Sequence, residues 1–217
     1  EYPQVKKLGL DLIYGNDKIK FEYVQSNFKS TPSLMALQTT FNVAPRANLF
    51  FTLAHDLNQL ALEDLTQSHR FVTLFYSDFD ARSRKLRFAN AAHNPPLLWS
   101  AKTKSIKRLD APGLLIGLQP EAEYGCGEII LQPGDVLLYY TDGVTEAPGI
   151  SGERFDENRL ITFLDKFARE GLGAKQILNK LFERLDGFVG VSDHHLEDDA
   201  SMVVLKVNEE LTLPKLT

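Results

Sequence analysis

The sequence predicts a single α+β domain in which antiparallel sheets pack against helices. Segments of strand character outnumber helical ones and follow one another directly, and the helical segments come in pairs instead of alternating with strands. No linker, internal repeat or low-complexity tract divides the 217 residues, which suit one large domain.

The elements read in order as follows. Leu8–Leu12 is the first strand, and Lys18–Val24 alternates polar and apolar residues as a strand with one wet face. Pro32 can open a helix that Ser33–Phe41 continue, because proline is tolerated in a first turn. Pro45 breaks it, and Leu49, Leu53, Leu57 and Leu60 are spaced for one buried face of a second helix. Phe71–Phe79 and Leu86–Ala91 are rich in strand formers and flank a hairpin loop at Asp80–Lys85. Pro96–Trp99, Ser105–Leu109, Glu128–Leu131 and Val136–Tyr140 are further strands, the last fed by the turn Gln132-Pro133-Gly134-Asp135. Two amphipathic helices follow, one through Leu160, Leu164 and Phe167, the other through Ile177, Leu181 and Leu185. Ser201–Val207 is the closing strand.

Composition narrows the function classes. With 43% hydrophobic and 24% charged residues, the chain can bury a sizeable core. A net charge of -5 gives no general attraction to nucleic acid or an anionic membrane. No stretch approaches the roughly 20 apolar residues that span a bilayer, so direct membrane insertion is not expected and the cytoplasm is the expected compartment. The single cysteine, Cys126, precludes an internal disulfide; between two glycines it reads as a small buried or half-buried residue. The start at Glu1 leads to the expectation that the chain is the C-terminal part of a longer signalling protein.

Two acidic motifs carry candidate chemistry. The apolar strand Val136–Tyr140 runs into Thr141-Asp142-Gly143, which puts a carboxylate at the sheet's rim with a glycine to allow a tight turn. Glu197-Asp198-Asp199 immediately precedes the closing strand. If those strands are neighbours, Asp142 and Asp198 approach each other, and two close carboxylates call for a hard cation such as Mg2+ or Mn2+. Spacing alone does not separate this pair from two ordinary turn aspartates. The His194-His195 pair lacks a third zinc ligand at a recognisable spacing, and His93 before Asn94-Pro95-Pro96 reads as a turn former. Asp193, Arg154 and Arg159 receive no assignment.

Phe71–Tyr76, Leu86–Leu97, Pro133–Ala147 and Asp198–Leu205, in that order, resemble the RsbU and sporulation-protein-E class of bacterial PPM-type, metal-dependent protein serine/threonine phosphatases. The Tyr140–Ala147 run and the closing Asp-Asp pair are the specific part, and the resemblance covers almost the whole chain, residues 1–217. It implies an αββα sandwich of two mainly antiparallel sheets flanked by helices. It also implies two Mn2+ or Mg2+ ions whose bridging water attacks a phosphoserine. Asp142 and Asp198 match metal ligands of the class; Glu146, and Asp199 beside Asp198, stand as outer or third-metal positions.

The N-terminal half of that site departs from the class. Gln25 falls where the metal-bridging aspartate belongs, and Phe28 where a glycine belongs. Between Gly15 and Asp17 there is no room for the expected Gly-Gly-Asp motif. A secondary register equates Gly9-Leu10-Asp11 with that motif and would make Asp11 a ligand, at the cost of the strand into which Asp11 fits better. The expectation is at most one weakly held Mn2+ or Mg2+, and a domain that binds a signalling partner with impaired turnover. The partner expected is a phosphorylated anti-sigma-factor antagonist or a sigma-regulating protein; homodimerisation is left open. The alternatives are an active phosphoserine phosphatase acting on such an antagonist, or a purely structural domain attached to a sensor.

Overall fold

The computed structural model describes residues 6–14, 17–25, 58, 72–190 and 200–208. Among them are β1 (Lys6–Tyr14), β2 (Asp17–Gln25), β3 (Leu74–Asp80), β4 (Lys85–Ala91), β5 (Leu97–Ser100), β6 (Ser105–Arg108), β7 (Cys126–Ile130), β8 (Val136–Tyr140) and β9 (Met202–Lys206). The helices are α1 (Asp142–Thr145), α2 (Asp156–Arg169) and α3 (Ala174–Val189). Every strand pair with a defined register is antiparallel, in accordance with the α+β class read from the sequence. The chain divides into two compact units, residues 1–33, 96–107 and 133–217 in the first and 34–95 and 108–132 in the second.

In the first unit the sheet runs β6-β5-β8-β9, and β1 pairs with β2 separately. The apolar run of β8 is central to its sheet, with Leu138 opposite Leu97 on one side and Val204 on the other. A strand buried on both faces needs apolar residues throughout, and Val136, Leu137 and Leu138 are fully buried. The predicted helical stripes cover this core: Leu160, Leu164 and Phe167 of α2, with Ile177, Leu181 and Leu185 of α3, are buried in one cluster with Leu97, Val136, Leu138 and Met202. Each such side chain contributes roughly 1.5–3 kcal/mol on burial. Polar ties fix the layers. Trp99 Nε1 donates to Asp165 Oδ1 (2.9 Å), and Tyr140 Oη donates to Glu157 Oε1 (2.7 Å), joining β5 and β8 to α2. The turn before β8 behaves as its residues predict. Gly134 takes φ +87° and donates to the Val207 carbonyl, while Asp135 Oδ1 accepts the Ala101 amide.

In the second unit β3-β4-β7 form a three-stranded antiparallel sheet, with Ser77 opposite Phe88 and Phe88 opposite Gly127. The β3–β4 turn is set by Asp80, whose carboxylate accepts the amides of Arg82 and Ser83 and the Ser83 hydroxyl. The strand expected from Phe71 begins at Leu74; Val72 instead exchanges two backbone hydrogen bonds with Ile116. Asn58 is helical and fully buried, and its side chain accepts the Gly117 amide and donates to the Gln119 carbonyl. The rest of the two helices expected at 33–41 and 49–60 lies outside the described residues.

Two expectations are corrected. Where a tight turn at Gly143 was expected, the residue lies buried within the single helical turn α1. Cys126 is exposed, not buried, because it shares the outward parity of β7 with Glu128 and Ile130.

Candidate functional site

Antiparallel pairing of β8 with β9 brings the C-terminal end of one strand beside the N-terminal start of the other, with Tyr140 opposite Met202. The pairing continues one residue further through a reciprocal clamp. The Thr141 amide donates to the Ser201 carbonyl (3.1 Å), and the Ser201 amide donates to Thr141 Oγ1 (2.9 Å). The neighbour condition set for the two strands is thus met: β8 passes into Asp142 beside Ala200 and Ser201, which lead into β9. Glu197, Asp198, Asp199 and the His194-His195 pair lie outside the described residues.

From Thr141 the backbone coils at once into α1. The Val144 amide donates to the Thr141 carbonyl, and the Glu146 amide to the Asp142 carbonyl (2.8 Å). Val144 and Ala147 anchor the turn in the core, whereas Asp142 and Glu146 face solvent. Residues four apart on a helical turn are neighbours on one face, so Asp142 and Glu146 leave the turn on the same side. Asp142 Oδ1 accepts the Gly143 amide (3.0 Å). No hydrogen bond engages Asp142 Oδ2 among the described residues, which leaves an exposed anionic oxygen of the type that a hard divalent cation takes. Asp142 therefore fits as a metal ligand, but singly: among the described residues no three His, Cys, Asp or Glu side chains converge.

Glu146 is already engaged. Its Oε1 lies 2.8 Å from Arg154 Nη1, with both side chains more than half exposed. Arg154 reaches it because residues 147–155 fold back as a small hairpin: Pro148 and Arg154 form an antiparallel bridge, the Gly149 amide donates to the Glu153 carbonyl and the Phe155 amide to the Ala147 carbonyl. Arg159 Nη1 donates to the carbonyls of Arg154 (2.8 Å) and Phe155 (3.1 Å), and its guanidinium lies 4.8 Å above the Phe188 ring. Phe188 also meets Phe155 edge-on. Arg154 and Arg159 were the residues that sequence reasoning left unassigned. The signal for the first was the turn composition Pro148-Gly149-Ile150-Ser151-Gly152, which returns the chain toward Glu146.

The other candidates fall elsewhere. Gln25 is the last residue of β2, opposite Lys6, and Asp11 lies mid-strand in β1, opposite Lys20. Phe28 lies outside the described residues. His93 shapes a turn: its amide donates to Asn90 Oδ1, Asn90 Nδ2 donates back to the His93 carbonyl, and its Nδ1 pairs with Thr73 Oγ1. Although Cys126 is exposed as a residue, desolvation pushes its thiol pKa up, away from the thiolate. No helix among the described residues is long and apolar enough to cross a membrane.

Comparison with known proteins places this geometry. The family described as Stage II sporulation protein E (SpoIIE) matches residues 30–208. The chain is 27% identical over 155 residues to phosphoserine phosphatase RsbU of Bacillus subtilis (strain 168), covering 70% of this chain and 43% of RsbU. It is 30% identical over 125 residues to protein IcfG of Synechocystis sp. (strain ATCC 27184 / PCC 6803 / Kazusa), covering 57% of this chain and 19% of IcfG. The chain thus spans less than half the length of these relatives. Among solved structures, the SiaA-PP2C domain of Pseudomonas aeruginosa superposes with a TM-score of 0.58 at 16% identity, over 93% of this chain and 80% of that one. The RsbU and RsbW domains of Rv1364c from Mycobacterium tuberculosis give 0.53 at 17% identity, over 87% and 53% respectively. The chain therefore belongs to the stage II sporulation protein E family and has the fold of the PP2C-type phosphatases.

Proposed function

We propose that the two units together make one PP2C-type signalling domain, that Asp142 and Asp198 hold at most one Mn2+ or Mg2+ weakly, and that the domain regulates by binding a phosphoprotein whose turnover it has largely lost. The observation that carries this reading is the β1–β2 pairing. Its register runs from Lys6 opposite Gln25 to Tyr14 opposite Asp17, so only Gly15 and Asn16 separate the strands in sequence. That leaves no residues there for a Gly-Gly-Asp ligand loop, and β2 ends on the neutral Gln25 where the class has a shared carboxylate.

The electrostatics set the consequence. Two dications about 4 Å apart repel by about 4 kcal/mol even at the dielectric of water. A bridging carboxylate offsets this with a full negative charge, and the amide of Gln25 has none to give. A bound divalent ion would supply Lewis-acid polarisation of a phosphoryl oxygen. The chain's own part is to hold Asp142 at the end of β8 and to keep Glu146 beside it.

A second reading, an active phosphoserine phosphatase acting on an anti-sigma-factor antagonist, draws on the complete Tyr140–Ala147 turn. In either case the partner is a signalling protein, the compartment the cytoplasm, and nucleic acid is disfavoured by the net charge of -5. The deciding assay is Mn2+-dependent hydrolysis of p-nitrophenyl phosphate. The proposal expects rates near background that Asp142→Ala does not change. Clear turnover abolished by Asp142→Ala would sink it and establish the second reading.

A further inference from the structure

We propose that Arg154 is a positioning residue that occupies Glu146 and so holds it away from a cation at Asp142; the inference rests on the cation reading of Asp142 given above. Three observations carry it. First, Glu146 lies one helical turn from Asp142, tied by the 2.8 Å bond from its amide to the Asp142 carbonyl, so its carboxylate is within reach of the same ion. Second, Glu146 Oε1 is taken by Arg154 Nη1 at 2.8 Å. Third, the root of Arg154 is fixed from both sides. Its backbone bridges Pro148, and its carbonyl accepts a hydrogen bond from Arg159, whose guanidinium rests on Phe188. The hairpin is thus braced to present one guanidinium to one carboxylate.

Arginine is permanently charged, and its ion pair with Oε1 neutralises the Glu146 carboxylate and orients it toward the hairpin, so the two cations compete for Glu146. The competition is reversible because both side chains are largely exposed, 66% for Arg154 and 56% for Glu146. With Arg154 in place a cation meets Asp142 and a neutralised neighbour. Once Arg154 is displaced, by an acidic or phosphorylated segment of a partner protein, Glu146 becomes a second donor. Partner binding and cation binding are then coupled through one side chain.

The test is Mn2+ binding to the intact chain with Mn2+ alone, read from the loss of the free-ion electron paramagnetic resonance signal, with no turnover required. Arg154→Met keeps the stem and removes the charge, and it should tighten Mn2+ about fivefold, the scale of one exposed ion pair. Arg154→Lys, which keeps a charge, should stay near wild type. The gain should vanish in Arg154→Met combined with Glu146→Gln. Equal affinity in wild type and Arg154→Met overturns the proposal, as does a gain that survives Glu146→Gln. Asp142→Asn separates the two levels. If it abolishes binding while Arg154→Met has no effect, the positioning role fails and the cation reading stands. If it leaves binding intact while the Arg154 effect persists, the role of Arg154 stands and the assignment of Asp142 fails. No Mn2+ binding in either wild type or Arg154→Met overturns both.

Discussion

Replacing Thr141 by valine tests whether the β8–β9 clamp holds the rim together. The substitution keeps the branched shape and removes only the hydroxyl, which accepts the Ser201 amide at 2.9 Å. The Thr141 amide and its bond to the Ser201 carbonyl remain. The cost is that of leaving one partly buried donor without its acceptor, about 1–2 kcal/mol. For a chain of this length that lowers the melting temperature by about 3–6 °C. Thr141→Ser loses a methyl and keeps the acceptor, so it should melt closer to wild type. The same pair of variants should split in Mn2+ affinity, the valine being weaker, because the clamp sets the distance between Asp142 and the segment that enters β9. Differential scanning calorimetry checks the first outcome and Mn2+ titration the second. If serine destabilises as much as valine, the methyl packing carries the effect and the clamp does not.

Two further outcomes follow from the two sheets. Hydrogen bonds from Arg169 and then Trp99 hold the Asp165 carboxyl below its ordinary value of 3.8. A carboxylate depressed in the folded state stabilises above its unfolded pKa, and that contribution is lost as pH falls through the lower folded value. The stability gap between wild type and Asp165→Asn should therefore be widest near neutral pH and narrow as pH falls below the ordinary carboxyl value of 3.8 in thermal melts; a gap that widens on acidification contradicts the sign. In the other sheet, a Cβ on Gly127 would lie 2.3 Å from Cζ of Phe88, which is buried and stacked on Phe75. Gly127→Ala should cost about 1–3 kcal/mol through overpacking. Phe88→Leu, which makes room, should absorb most of that loss, and an equal loss in both backgrounds would refute the steric account.

The strands and helices of the first unit were legible because their burial follows simple periods. Val136–Tyr140 is apolar throughout because both faces of β8 are covered, and the spacing of Leu160, Leu164 and Phe167 marks one helical stripe. Asp142 was readable as a rim carboxylate from the strand that ends before it. Gly143 was read as a tight-turn residue from the Asp-Gly pair, whereas the amides of Val144 and Glu146 close a helical turn over it. Cys126 was misread from its glycine neighbours; parity with Glu128 two residues on was the better guide, since a charged residue fixes the wet face. The Glu146–Arg154 pair was illegible for another reason. It joins residues eight apart through a hairpin whose closure depends on Phe155 and Phe188, and Phe188 lies on a helix more than thirty residues onward.

Fold and candidate chemistry are separable in this chain, so the proposed loss of a shared carboxylate at Gln25 is compatible with an intact fold. What fixes β8 and α1 is apolar: Val136, Leu138 and Val144 have no exposed surface, and Ala147 has almost none. What could do chemistry is exposed: Asp142 and Glu146 make no contribution to that core. Changing an exposed carboxylate removes a ligand and leaves the buried contacts, so the energetic penalty for losing catalysis is small. The same holds in principle for a shared aspartate position taken by glutamine, whose side chain is neutral and one methylene longer. The fold then survives as a rigid platform with Thr141 still clamped to Ser201 and the hairpin still braced by Arg159. In the proposed reading, a platform of that kind keeps the rim geometry that recognition requires, while a reduced second ligand set limits turnover.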